Sequence, residues 1–164
     1  EVELTEETET NRRDTTPELY AGVLFAFPRN QFIGNKKNPE RLEDFVLPSR
    51  LALENTIYLD GTWYYNSDNL HLQGEEGVIA LDFTAGEVNI VADNLVDAVE
   101  MDILIDGEYV SQDNAGDDVV FDGSRAFMII DSARLYNIYR GVYGNYRLDL
   151  KVTKDFIFNA FTFG

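Results

Sequence analysis

The chain has 164 residues, 45% hydrophobic and 13% aromatic, with a formal net charge of −17. That length is enough for one domain with a real core, and the acidity argues against nucleic acid and against an anionic membrane surface. There is no cysteine and a single histidine, His71, so disulfides, thiol catalysis and cysteine-type zinc sites are excluded within the chain. A histidine-based metal site or a Ser-His-Asp triad is a poor expectation for the same reason.

No apolar run approaches the roughly 18 residues needed to span a bilayer, so direct membrane insertion is not expected. The aromatics are mainly Tyr and Phe, which fit pleated, half-buried strand surfaces. The first residue is Glu1 and no signal peptide is visible. This is expected of a processed protein or of a piece of a larger one.

Residues 1–15 are rich in Glu and Thr and lack hydrophobic periodicity. They read as a flexible acidic linker, unable to bury enough surface to offset chain ordering. Thr16-Pro17 could open a short helical turn, while Tyr20 to Phe27 reads equally as a first strand. Residues 28–56 are irregular, because Pro28, Pro39 and Pro48 interrupt any long element. "NPERLEDF" within them could make one helical turn.

From residue 57 the pattern has period two. Ile79, Leu81 and Phe83 share a face. Val99, Met101, Ile103 and Ile105 point one way, with Glu100, Asp102 and Asp106 pointing the other. Asp106-Gly107 is a hairpin turn signal. Tyr146, Leu148, Leu150 and Val152 alternate with Arg147, Asp149 and Lys151. "DFIFNAFTFG" closes the chain with phenylalanines assigned to both faces, as expected of a central strand. Phe32, Phe45 and Leu47 of the irregular segment are the expected cover for its second face. Eight or nine short strands separated by turns predict an all-β fold, an antiparallel β-sandwich or jelly roll over residues 16–164.

Several segments together carry a resemblance: "TPELYAG", "LDGTW", "GVIALDFTAGEVNIV", "VEMDILIDG", "ARLYNIYR" and the terminal "FNAFTFG". In order and spacing they resemble the thioredoxin-like C-terminal domain of DipZ-type cytochrome c biogenesis proteins. The resemblance covers residues 16–164. It implies a jelly-roll domain similar to carbohydrate-binding modules, placed after a thioredoxin-fold domain on the outer side of the cytoplasmic membrane. The redox chemistry would belong to that linked domain. The segment "NKKNPERLEDF" departs from the family pattern. Lack of cysteine suits such a neighbour, because a tethered thiol would form dead-end mixed disulfides with its redox pair.

Candidate ligand-binding residues are Trp63, Tyr65, Arg134, Tyr139 and Tyr143. The four aromatics could make a platform for a sugar ring, and Arg134 could hold a carboxylate bidentately. Plainer roles are open as well: Trp63 and Tyr65 share one strand face, which is more often core or a cross-strand packing surface, Tyr146 joins Leu148 and Leu150 as core, and Arg134 can sit in a structural ion pair. Tyr139 and Tyr143, beside Gly141 and Gly144, are the tyrosines expected to be exposed. Asp113, Asn114, Asp117 and Asp118 could offer oxygens to Ca²⁺, although the EF-hand spacing is absent and Asp, Asn and Gly are ordinary turn residues.

No other cofactor is expected. The adjacent acids Glu75 and Glu76 read as a solvated turn, so no independent catalysis is expected. The expectation is therefore a non-catalytic accessory domain of an extracytoplasmic thiol-disulfide oxidoreductase, docking the redox domain or its client. The alternative is a carbohydrate-binding module with an aromatic platform.

Overall fold

The computed structural model describes residues 14–35 and 37–164. Most of the expected linker, residues 1–13, lies outside them. Near the start of the described chain, Thr16 is buried. Its N–H donates to Thr84 O at 2.8 Å and its hydroxyl to Asn55 Oδ1 at 2.6 Å.

The strands in chain order are β1 (Leu19–Tyr20), β2 (Arg41–Phe45), β3 (Tyr58–Tyr65), β4 (Leu70–Leu72), β5 (Glu76–Asn94) and β6 (Val99–Ile105). They continue with β7 (Glu108–Tyr109), β8 (Val120–Asp122), β9 (Arg125–Ile130), β10 (Arg134–Thr153) and β11 (Phe156–Phe163). One helical turn, α1 (Val23–Ala26), runs into a 3₁₀ turn, Phe27–Arg29. The fold is all-β, and every strand pair is antiparallel.

One sheet runs in the order β1-β11-β4-β3-β5-β10-β6-β9-β8, with β2 on β3 and β7 on β6. Because β11 also pairs with β5, the path β3–β5–β11–β4–β3 closes on itself. The long strands β5 and β10 run together but lose register between Arg140↔Glu87 and Gly144↔Ala85. Such irregularities bend a strand. The two halves meet in one core, where Phe83 lies 6.0 Å from Tyr139 and 6.1 Å from Phe163 between ring centroids.

The alternating patterns fold as their periodicity requires. Ile79, Leu81, Phe83, Val99, Met101 and Ile103 are buried, while Glu100 is exposed. Asp106 and Gly107 both adopt left-handed backbone, φ 50° and 85°, as a tight hairpin turn needs.

Three local expectations are corrected. "RLEDF" is strand β2, not a helical turn: β3 offers it a free edge, Thr62 Oγ1 donates to Asp44 Oδ1 at 2.5 Å, and Phe45 drops into the core. Tyr20 to Phe27 is neither a full strand nor a long helix. Gly22 presses so close to Asp68 that a Cβ there would sit 2.3 Å from its carbonyl carbon, and the chain turns into α1 at that point. Gln31 then seals the edge of β1, accepting from Tyr20 N–H and donating to Glu18 O.

The third correction concerns β11. It is central, with β5 on one side and β4 and β1 on the other. Its phenylalanines do not occupy both faces, however. The register shifts between Phe158 and Ala160, so Phe156, Phe158, Phe161 and Phe163 all turn inward. Phe158 and Phe161 rings lie 4.8 Å apart. The 28–56 segment covers β3 instead. Asn35 bonds both the N–H and the C=O of Leu59, Leu47 N–H donates to Asp60 Oδ2, and Leu53 N–H donates to the buried Tyr58 hydroxyl. Of the three side chains expected as cover, Phe45 is buried, Leu47 is half-buried and Phe32 is exposed.

Candidate functional site

The expected aromatic platform is not on the surface. Trp63 is fully buried, edge-on to Phe156 with centroids 6.4 Å apart, and its Nε1–H donates to Asp60 O at 2.9 Å. Tyr65 is buried, and that burial pushes its hydroxyl pKa up.

Tyr139, expected at an exposed loop, is only 1% exposed. Simple alternation puts it opposite Tyr136, but the register shift between Asn137 and Tyr139 makes Ile138 an extra residue. Tyr139 thereby joins Tyr136 inside. Its hydroxyl donates to Val142 O at 2.8 Å, and burial followed by its Tyr146 neighbour raises its pKa. Tyr143 is half-buried, its hydroxyl donating to Asp14 O. Tyr136 is buried, with its hydroxyl donating to Ser132 O at 2.7 Å. Tyr136, Tyr139 and Tyr143 each have a partner for the polar tip, and they belong to the wall of a sheet.

Arg134 and the acidic loop form one structural clasp. Arg134 Nη2 donates to Asp118 Oδ1 at 3.1 Å, and its guanidinium lies 3.8 Å from the Tyr136 ring centroid. Asp118 Oδ2 accepts Asn137 N–H at 2.8 Å. Partial burial alone would raise the Asp118 pKa, but the Asn137 N–H and the Arg134 guanidinium outweigh it and hold the carboxyl below its ordinary range. Asp117 is taken by Arg140 at 2.9 Å, and Asn114 O accepts Arg140 N–H. Asp113 is exposed. The four oxygen-bearing residues expected at a Ca²⁺ site therefore face different partners. Among the described residues no group of three or more acidic or histidine side chains converges on a point a metal could occupy.

Sequence reasoning missed a groove on the outer strand face. It is about 450 Å³ and is lined by Asp60, Glu76, Glu100, Asp102, Arg125 and Lys151, with Val78 also in its wall. Registers align Asp60, Val78, Lys151, Asp102 and Phe127 in one row across β3, β5, β10, β6 and β9. Arg125 is locked in place. Its Nε and Nη2 reach Asp102 Oδ1 at 3.1 and 2.7 Å, Nη2 reaches Glu100 Oε2 at 3.0 Å, and the guanidinium caps the Phe127 ring at 4.1 Å. Those two carboxylates push the Arg125 pKa up.

The groove can offer hydrogen bonds of both signs, but no open aromatic face. Alternation had already turned Glu100, Asp102 and Lys151 outward. The sequence carries no mark that five strands bring them side by side.

A second surface feature lies at α1. Leu24, Phe25 and Phe27 are exposed, followed by Phe32. The period-two reading found no site there, because this stretch follows neither period.

The molecule is thus a cysteine-free, antiparallel β domain whose tyrosines build its walls. The profile of one family, the thioredoxin-like C-terminal domain, matches residues 16–164. The chain belongs to that family. The search among curated proteins gives no match.

Proposed function

We propose that this chain is the non-catalytic accessory domain of an extracytoplasmic thiol-disulfide oxidoreductase, joined to a thioredoxin-fold domain that carries the redox pair. It docks that domain or holds its client. The DipZ-type context and the outer-side location follow from the same reading. The observation that carries it is family membership across 149 residues, 16 to 164, in a chain with no cysteine. A chain without sulfur nucleophiles cannot itself exchange disulfides, so the chemistry falls to a neighbour. The exposed apolar turn at α1 favours docking, since contiguous apolar surface marks interaction sites.

The test is insulin reduction by the pure chain and by the natural full-length product. The chain alone is expected to be inactive, and the full-length product active through a Cys-x-x-Cys pair. Turnover by the cysteine-free chain would sink the reading, as would a full-length product without a thioredoxin-fold domain.

A second reading, carbohydrate binding, is favoured by one observation only: the outer groove, where Glu76, Asp60 and Lys151 line an open strand face. An aromatic platform around Trp63, Tyr65 and Tyr139 is not part of it. Titration with neutral oligosaccharides, followed by NMR shifts of Val78 and Lys151, tests this reading. Unchanged shifts at millimolar sugar would remove it.

A further inference from the structure

The turn made by α1 and the following 3₁₀ turn carries an apolar surface that the described chain leaves uncovered. Leu24 is 62% exposed, Phe25 44% and Phe27 77%. From Tyr20 to Pro28 there is no charged residue, in a chain of net charge −17. Leu24 and Phe27, three apart on a helical turn, share a side.

The turn is held firmly in this pose. Leu24 N–H donates to Ser67 O at 2.8 Å, and Gln31 N–H to Ala26 O at 3.0 Å. Arg29 donates to Phe25 O at 2.7 Å while stacking on the Tyr20 ring at 4.3 Å. The close approach of Gly22 to Asp68 fixes where the turn begins. A surface ordered in advance loses little conformational entropy on association.

We infer that this turn is the docking surface for an apolar face of the linked thioredoxin-fold domain, an inference that rests on the function proposed above. Charge disfavours two other occupants. A second copy would bring another −17, and an anionic bilayer would repel the same charge. A partner domain of neutral or positive charge meets no such repulsion, and the uncharged turn requires no counter-charge. Reach permits the contact. Residues 1–13 span up to roughly 45 Å when extended, and a domain tethered through them would have an effective concentration near the millimolar range. A patch of a few side chains is enough under those conditions.

Hydrogen exchange followed by mass spectrometry tests this on the isolated chain and on the full-length product. Peptides covering residues 20–33 are expected to exchange at least about fivefold more slowly in the full-length product. A Leu24→Glu, Phe27→Glu double variant should return them to the isolated-chain rate with the melting temperature unchanged. Domains that associate while these peptides exchange equally in both proteins would overturn the surface and leave the proposed function standing. Domains that tumble independently would overturn it too. If no thioredoxin-fold domain adjoins the chain, surface and function fall together. Dimerisation of the isolated chain, or its binding to anionic vesicles, abolished by the double variant, would show that the occupant is the wrong one.

Discussion

Two phenylalanine-rich stretches meet opposite fates in this molecule. "FIFNAFTF" forms β11, with Phe156, Phe158 and Phe161 fully buried. "LFAFPRNQF" forms a surface turn with Leu24, Phe25, Phe27 and Phe32 exposed. Both are rich in phenylalanine, but the second also carries Pro28, Arg29 and Gln31, and their backbone partners differ. β11 is hydrogen-bonded along both edges, so its side chains have a sheet interior to enter. The α1 turn has no strand along either side: it is anchored through Leu24 N–H on Ser67 O and the buried Ala26, so Leu24, Phe25 and Phe27 have no interior to enter. Where an apolar stretch ends up is decided by the edges available to its backbone.

The most severe way to test that contrast is truncation after Asp155. Each buried Phe contributes roughly 1.5–3 kcal/mol. Losing the whole strand should exceed the roughly 5–15 kcal/mol that holds a typical domain together. The truncated chain is expected to lose its near-UV circular dichroism and its cooperative melt. A cooperative melt near the intact temperature would show that β11 is dispensable.

Single substitutions sharpen the same comparison. Phe158→Ala should cost about 3–5 kcal/mol in urea unfolding. Phe27→Ala should stay within about 0.5 kcal/mol. Equal costs at the two sites would mean that α1 is packed in solution after all.

A polar stretch should obey the same rule. The loop from Ser111 to Val119 packs Ala115 and Val119 against the core but is held mainly by polar contacts to Asn137, Arg134 and Arg140. Asp118→Asn, which weakens two charge-assisted bonds, should cost about 1.5–3 kcal/mol. Because the folded pKa of Asp118 is depressed, its contribution is fully present above the unfolded value of about 3.9. It is lost as pH falls through the lower, folded value. The gap between wild type and Asp118→Asn should therefore be constant near neutrality and close below about pH 4. A gap that persists undiminished to the most acidic pH would assign the effect to shape rather than charge.

The smallest change addresses the turn itself. Gly22→Ala has no room beside Asp68 and should cost about 1–3 kcal/mol, as overpacking does. Its spectral changes should be confined to α1 and the 66–69 turn. An unchanged urea midpoint would show that Gly22 does not fix α1.

The strand alternations were legible wherever a strand runs without interruption. Ile79, Leu81 and Phe83 in β5, and Val99, Met101 and Ile103 in β6, needed only period two to be assigned inward. The Asp106-Gly107 turn needed only its dipeptide. Legibility failed at each bulge. One extra residue at Ile138 turned Tyr139 inward, and another near Asn159 put the β11 phenylalanines on one side. It failed again at β2, where a charged pentapeptide became a strand because β3 offered an open edge. The candidate site was less readable than the fold. The aromatic platform dissolved into core, and the groove arose from residues spread along the chain from Asp60 to Lys151. Strand periodicity, turn dipeptides, charge and the family motifs are local properties, so the sequence by itself determined the all-β class, most inward faces, the lack of thiol chemistry and the family. Register shifts, edge pairing and which surfaces remain uncovered depend on free energy shared between distant segments, so only the tertiary structure decided them.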